Sequence, residues 1–264
     1  MYLLNENEKE IYLLSSKLTS FKNKVTAAIE TTKNALKSYS NASLSFSSGK
    51  DSIVLLDIAI QAGFKGTLVF FKYGVCNDIE TPKENIELLK YYAELHNIKY
   101  KILDCLGEVD CWEQCNRFFI FPETGEEKRI CSKTNYDYVK KSAEFEKSNN
   151  INLSIIGMRK DESKKRKFIL NKKGAVYQTK ARNSITCCPL LNFTSTDIWA
   201  YIFSHNLKYL SIYDYPYLDR KINRNEITML YNDAIIRNGQ IFHYKQIYPN
   251  FFDWVENRWG KIYV

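Results

Sequence analysis

The sequence predicts an α/β fold: a doubly wound parallel sheet with a helical C-terminal cap. Three observations carry this prediction. Short apolar strand patterns at residues 43–46, 67–71, 99–103 and 152–156 alternate with helical patterns, which implies βαβ crossovers and parallel pairing. The first strand breaks into the small residues Ser47, Ser48 and Gly49 and then runs directly into an apolar helical segment at 53–62. The chain has 264 residues, of which 45% are hydrophobic and 26% charged, enough to bury one full core and ordinary for a globular protein.

In chain order, residues 8–39 read as one long amphipathic helix. Ile11, Leu14, Leu18, Phe21, Val25 and Ile29 recur at steps of three and four. The central strand, its loop and the helix to Ala62 follow, with Gly63 as the expected C-cap. After the second strand, Thr81-Pro82-Lys83-Glu84 has the form of a capping box with Pro at the first helical position. A helix is expected from there to His96. Residues 104–132 show no clear period and contain Cys105, Cys111, Cys115 and Cys131; a long irregular segment in a compact domain is often functional. A helix is expected at about 134–146.

Residues 164–182 hold eight Lys or Arg and Gly174 and are expected to form a mobile basic loop or β-turn over the site. A strand or turn carries Cys187-Cys188-Pro189-Leu190. Thr194 and Asp197 cap a helix with Ile198, Trp199, Ile202 and Phe203 on one face. The remaining chain is rich in Tyr and Trp, with a helix expected at 225–237.

The stretch from Ser43 to Ser52 organises these elements. A strand, a tight turn and a helix N-terminus make an anion site, because first-turn N–H groups point outward and the helix dipole favours negative charge. Lys50 adds a cation. Ser45, Ser47, Ser48 and Ser52 add hydroxyls, and Asp51 can hold Mg²⁺ or orient the loop. The usual mononucleotide P-loop would need Gly at 44 and Ser or Thr at 51, where this chain has Leu44 and Asp51. The expected organisation is an N-terminal helix at 1–40, a nucleotide-binding core at 41–192 and a helical region at 193–264.

The net charge is +8, which favours polyanionic partners such as nucleotides or nucleic acid; Lys-rich usage across the whole chain is the alternative. No apolar run approaches the roughly 18 residues of a membrane span, and the first nine residues do not resemble a secretory signal. A cytoplasmic location is expected. The seven cysteines are expected to be reduced thiols or ligands. Cys131, Cys187 and Cys188 are candidates for an iron–sulfur cluster, for a persulfide-carrying thiol beside Arg129, or for buried residues with no chemical role.

The string from Ser47 to Ser52 resembles the S-G-G-K-D-S pyrophosphate loop of the ATP pyrophosphatase superfamily, with Ser48 at the first Gly. Three further stretches resemble one branch of it, the phosphoadenosine phosphosulfate reductase family. Gly157-Met158-Arg159-Lys160-Asp161-Glu162-Ser163 is similar to its G-I-R-A-D-E-S. Pro189-Leu190 through Ile202 is similar to its P-L-x-x-W-x-x-x-D-V-W-x-Y-I, and residues 212–217 to its L-Y-D-x-G-Y. Glu80-Thr81 matches a Glu-Thr pair before a helix.

The resemblance implies an adenine nucleotide alpha hydrolase-like, Rossmann-like sheet and an enzyme that cleaves ATP at the α-phosphate to adenylylate an acceptor in sulfur chemistry. Ser47, Ser48, Gly49, Lys50 and Ser52 would hold the leaving pyrophosphate, and Gly157 would let the nucleotide approach the backbone. Arg159 and Arg166 would stabilise developing charge.

Two departures bear on the reaction. Lys72-Tyr73-Gly74 stands where the family often has Asp-Thr-Gly, and no cysteine follows Cys188, although sulfonucleotide reductases use a late Cys as nucleophile. Three rivals remain. One is a reductase that borrows its thiol. Another is a tRNA or DNA sulfurtransferase, which would use the basic loop Lys160 to Arg182; its partner would be nucleic acid or a sulfur-carrier protein. The third is a nucleotide-binding or nucleic-acid-binding subunit of a larger system.

Overall fold

The computed structural model describes residues 6–73, 83–106, 126–178 and 184–214, with isolated helical positions after residue 244. Its helices are α1 (Glu6–Ser16), α2 (Thr19–Ser38), α3 (Lys50–Gln61), α4 (Lys83–Leu95), α5 (Glu126–Ser148), α6 (Lys164–Lys173) and α7 (Ser195–Ser204). Its strands are β1 (Ala42–Ser45), β2 (Thr67–Tyr73), β3 (Lys99–Cys105), β4 (Leu153–Ile155), β5 (Val176–Gln178) and β6 (Ile185–Cys187). A 3₁₀ turn spans Ser211–Asp214.

The six strands form one sheet in the order β3-β2-β1-β4-β6-β5. All neighbours are parallel except β5 and β6, which pair antiparallel. This is the α/β doubly wound sheet expected, with one antiparallel edge strand added. β1 lies between β2 and β4, with Ser43 opposite Thr67 on one side and Ser154 on the other. The chain leaves β1 toward β2 first and reaches β4 on the other side only later. The crevice beyond the carboxyl ends of β1 and β4 is therefore the topological switch point, where open α/β sheets place ligands.

β1 is central and buried, which explains its apolar Ala42 and Leu44 and the buried Phe46 that follows it. α3 follows it and buries Ile53, Val54, Leu55, Leu56, Ile58 and Ala59 together; a helix apolar on every side is a core helix. Gly66 lets the chain enter β2, since a Cβ there would lie 1.9 Å from the Ala42 carbonyl oxygen. α3 ends as the sequence suggested, with Gly63 at φ 92° just past the cap.

Two local expectations are corrected. The helix expected over 8–39 is broken at Lys17–Leu18 into α1 and α2. The break turns Tyr12 onto Trp199 and Phe203 of α7, while Ile11, Leu14 and Leu18 remain 59%, 55% and 57% exposed. Only the later part of the stripe, Phe21 with Val25 and Ile29, meets the core. The basic stretch expected to be a loop over 164–182 forms α6 and β5 in its described part, residues 164–178. Ser163 caps α6 by accepting from the Arg166 N–H, and Gly174 ends it at φ 76°.

α7 begins with the expected capping box, in which Thr194 and Asp197 bond reciprocally. Asp197 also accepts from Lys24 of α2 at 2.6 Å, tying the N-terminal helices to α7. Thr81 and the helix expected at 225–237 lie outside the described residues, as does most of the C-terminal cap. Glu84, the other half of the expected box, accepts from the N–H and hydroxyl of Ser211. Among the described residues, no helix is long and apolar enough to cross a membrane.

Candidate functional site

The turn between β1 and α3 is tied by its own serines. The Ser47 N–H donates to Ser52 Oγ, the Gly49 N–H to Ser47 Oγ, and Ser52 Oγ–H to the Gly49 carbonyl. These bonds hold the loop closed over the helix N-terminus. Gly49 is the N-cap residue and supplies no side-chain cap, so a bound anion can serve the first-turn amides. Ser45 sits half-buried at the end of β1, and Ser47 is exposed.

Ser48 has φ 61°, the left-handed region where glycine is at ease. This gives a physical reason for the glycine in the loop that the sequence resembles. Its buried hydroxyl donates to the Asn85 carbonyl at 2.5 Å, so toward a ligand Ser48 offers its amide. Asn85 was not legible as a site residue. The available signal was a polar residue at a stripe position of α4, where Asn85, Leu88, Leu89 and Tyr92 are all buried. The Lys50 N–H donates to the hydroxyl of Tyr213, 3.3 Å away. The 3₁₀ turn thus reaches the loop from 163 residues along the chain.

Lys50 and Arg159 are both fully buried and converge on Asp51. Lys50 Nζ lies 2.5 Å from Asp51 Oδ2, and Arg159 Nε lies 2.5 Å from Asp51 Oδ1. The second contact is an ion pair without hydrogen-bond geometry, which leaves Asp51 Oδ1 and Arg159 Nε as buried polar atoms lacking a hydrogen bond among the described residues. Burial holds the Lys50 ammonium below its ordinary pKa, Asp51 opposes that shift, and Arg159 adds to it.

Arg159 is anchored on its remaining sides. Its backbone N–H donates to the Glu162 carboxylate at 2.7 Å, and its guanidinium reaches Asp161 and the Phe193 carbonyl at 3.4 Å. Asp161 also accepts from the Ser195 N–H at the start of α7. Gly157 lies against Asp51, yet a Cβ there would sit 3.7 Å from the Asp51 backbone, an ordinary contact. Arg166 stands apart on α6 and is joined to the cluster only through its ion pair with Glu162.

The metal candidates fare differently. Both oxygens of Asp51 face cations, which suits an orienting carboxylate better than a Mg²⁺ ligand. Cys187 belongs to the hydrophobic core, and burial beside Cys188 pushes its thiol up to about 12. Cys188 is buried as the next residue, and the Cys131 side chain lies outside the described residues. Among the described residues, no group of three or more ligating side chains comes together.

A 68-residue segment, 26% of this chain and 27% of the relative, is 34% identical to adenosine 5'-phosphosulfate reductase of Bacillus cytotoxicus. The crystal structure of phosphoadenylyl-sulfate reductase from Candida auris, a phosphate complex, superposes with a TM-score of 0.51 at 15% identity, covering 78% of this chain and 89% of that one. The U34-tRNA thiolase of Methanococcus maripaludis, with its [4Fe-4S] cluster, gives a TM-score of 0.49 at 12% identity over 90% of this chain and 78% of that one. The phosphoadenosine phosphosulfate reductase domain model matches residues 41–219, a span that runs from β1 through the loop, Arg159 and the 3₁₀ turn. Well over half of the chain lies in that span, so the protein belongs to the phosphoadenosine phosphosulfate reductase domain family.

Proposed function

We propose that the protein is an enzyme that binds ATP at the β1–α3 loop, transfers AMP to an acceptor and releases pyrophosphate. The acceptor attacks the α-phosphorus, the bond from that phosphorus to the α,β-bridging oxygen breaks, and pyrophosphate departs with the electron pair. The amides of residues 48–52, the start of α3 and Lys50 would hold the leaving group by charge and hydrogen bonding. Asp51 would fix Lys50 and Arg159, and Arg166 would act from α6. Mg²⁺ would arrive on the nucleotide phosphates rather than on a protein cage. In this reading residues 41–192 are the nucleotide-binding core, flanked by 1–40 and 193–264.

One observation carries the reading. Two fully buried cations share the Asp51 carboxylate directly beside a helix start that has no side-chain cap. A phosphate would serve the uncapped first-turn amides in the field of those cations. The test is incubation with α-labelled ATP and candidate acceptors, following AMP transfer and pyrophosphate. Lys50→Ala should lower pyrophosphate release by about 100-fold or more; release at the wild-type rate would refute the assignment.

The segment similar to adenosine 5'-phosphosulfate reductase favours a second reading, cleavage of a sulfonucleotide. Burial raises the pKa of Cys105 and Cys187 to about 12, so neither would serve as the thiolate in this reading. Sulfite release from a sulfonucleotide plus thiol, without pyrophosphate release from ATP, would select that reading.

A further inference from the structure

We propose that α6 is a docking surface for single-stranded nucleic acid and delivers the strand to the β1–α3 loop. Six of the ten residues of α6, Lys164, Lys165, Arg166, Lys167, Lys172 and Lys173, are cationic and none is acidic. General lysine richness does not account for this, because each of the other described helices carries at least one acid. Among the described residues, the one ion pair on α6 joins Arg166 to Glu162. Three of the cations stand in the first turn, where the helix dipole disfavours positive charge. The dipole favours Lys172 and Lys173 in the last turn but gives no reason for the first-turn cations; an external polyanion does.

The apolar residues of α6 distinguish the polyanion. Leu170 is buried and anchors the helix, while Phe168 is 69% exposed among the lysines. Phe168, Ile169 and Leu170 are consecutive, so they spread around the helix and form no apolar face for a lipid headgroup layer. An exposed aromatic ring within a cationic stripe suits stacked bases along a single strand. Tyr177 of the adjoining edge strand extends the surface, with Lys173 Nζ 4.9 Å from its ring centre.

The surface is joined to the loop. α6 follows the carboxyl end of β4, and Arg166, Glu162, Arg159 and Asp51 form a continuous series of contacts to Lys50. A strand lying on α6 would bring a base or ribose toward the adenylylation site. Its role as acceptor rests on the proposed function; the docking does not.

The test uses the full chain and labelled RNA and DNA strands of about 20 nucleotides, followed by fluorescence anisotropy over a salt series. Binding of either strand, with affinity falling linearly on a log–log salt plot, is expected. The triple variant K164Q/K165Q/K167Q should weaken binding roughly tenfold or more and reduce the salt slope by about two. K22Q/K33Q/K37Q on α2 removes the same charge and should leave binding within about twofold. Phe168→Ala should lower affinity with the slope unchanged. Absence of strand binding, equal losses in both triple variants, or tighter binding to phosphatidylserine vesicles would each overturn the proposal. If wild-type protein bound the strand through α6 but released no pyrophosphate from ATP, the docking would stand and the adenylylation reading would fall.

Discussion

Two residues show how the loop departs from what stability alone would choose. Lys50 is an ammonium held without solvent contact and below its ordinary pKa. Replacing a buried charge with an apolar side chain of similar volume is often neutral or stabilising when the remaining charges are paired. Asp51 keeps Arg159 after such a change. Lys50→Met should therefore keep or raise Tm in calorimetry while ATP-dependent pyrophosphate release is lost; a clear drop in Tm would make Lys50 a structural residue instead. Ser48 tests the backbone. Ser48→Gly removes the bond to Asn85 but relaxes a positive φ, so stability should change by only about 1 kcal/mol. Ser48→Val places a β-branched residue at that φ and loses the same bond, and urea melts should show a loss of about 2–3 kcal/mol.

At the scale of elements, the caps decide which helices are firmly held. α7 has a complete capping box and buries Ile198, Trp199, Ala200, Tyr201 and Ile202. Thr194→Ala should lower global stability by about 1 kcal/mol in a denaturant melt. α6 has one side-chain cap and one buried residue, Leu170. Ser163→Ala should leave the global transition nearly unchanged and instead speed amide exchange in α6 alone. A global loss as large as that of Thr194→Ala would show that α6 is integral to the core.

For the whole molecule, alkaline pH is the informative variable. Burial raises the pKa of Cys105 and Cys187 to about 12 and pushes Tyr92 and Tyr201 up as well. A raised acid binds its proton more tightly in the folded chain. Its contribution is complete below the unfolded pKa, about 9 for a thiol and 10 for a phenol, and is lost as pH climbs toward the folded value. Lys50 acts in the opposite sense, but the raised acids outnumber it. Stability in urea should fall steadily between about pH 9 and 11; a flat or rising profile would contradict the burial of these groups. Gly66 tests the β1–β2 junction. Gly66→Ala drives a methyl against the Ala42 carbonyl and should lower stability by about 2–3 kcal/mol, visible as a lower urea midpoint.

The alternation of short apolar runs with helical periods determined the α/β class, because strand and helix bury their faces at different spacings. The Gly-Lys-Asp-Ser run at a strand–helix junction located the loop for a similar reason, since its chemistry is local. Tertiary structure alone decided the rest. The bend between α1 and α2 exists because Tyr12 finds Trp199 on a distant helix, and no local pattern encodes that contact. The basic stretch reads as a loop by composition, yet a serine cap, Leu170 and pairing of β5 with β6 order it. Asn85, Tyr213 and Arg159 reach Lys50 and its loop only because the sheet sets strands far apart in sequence side by side. A charge cluster assembled from two distant segments depends on distances in space, which the sequence does not state.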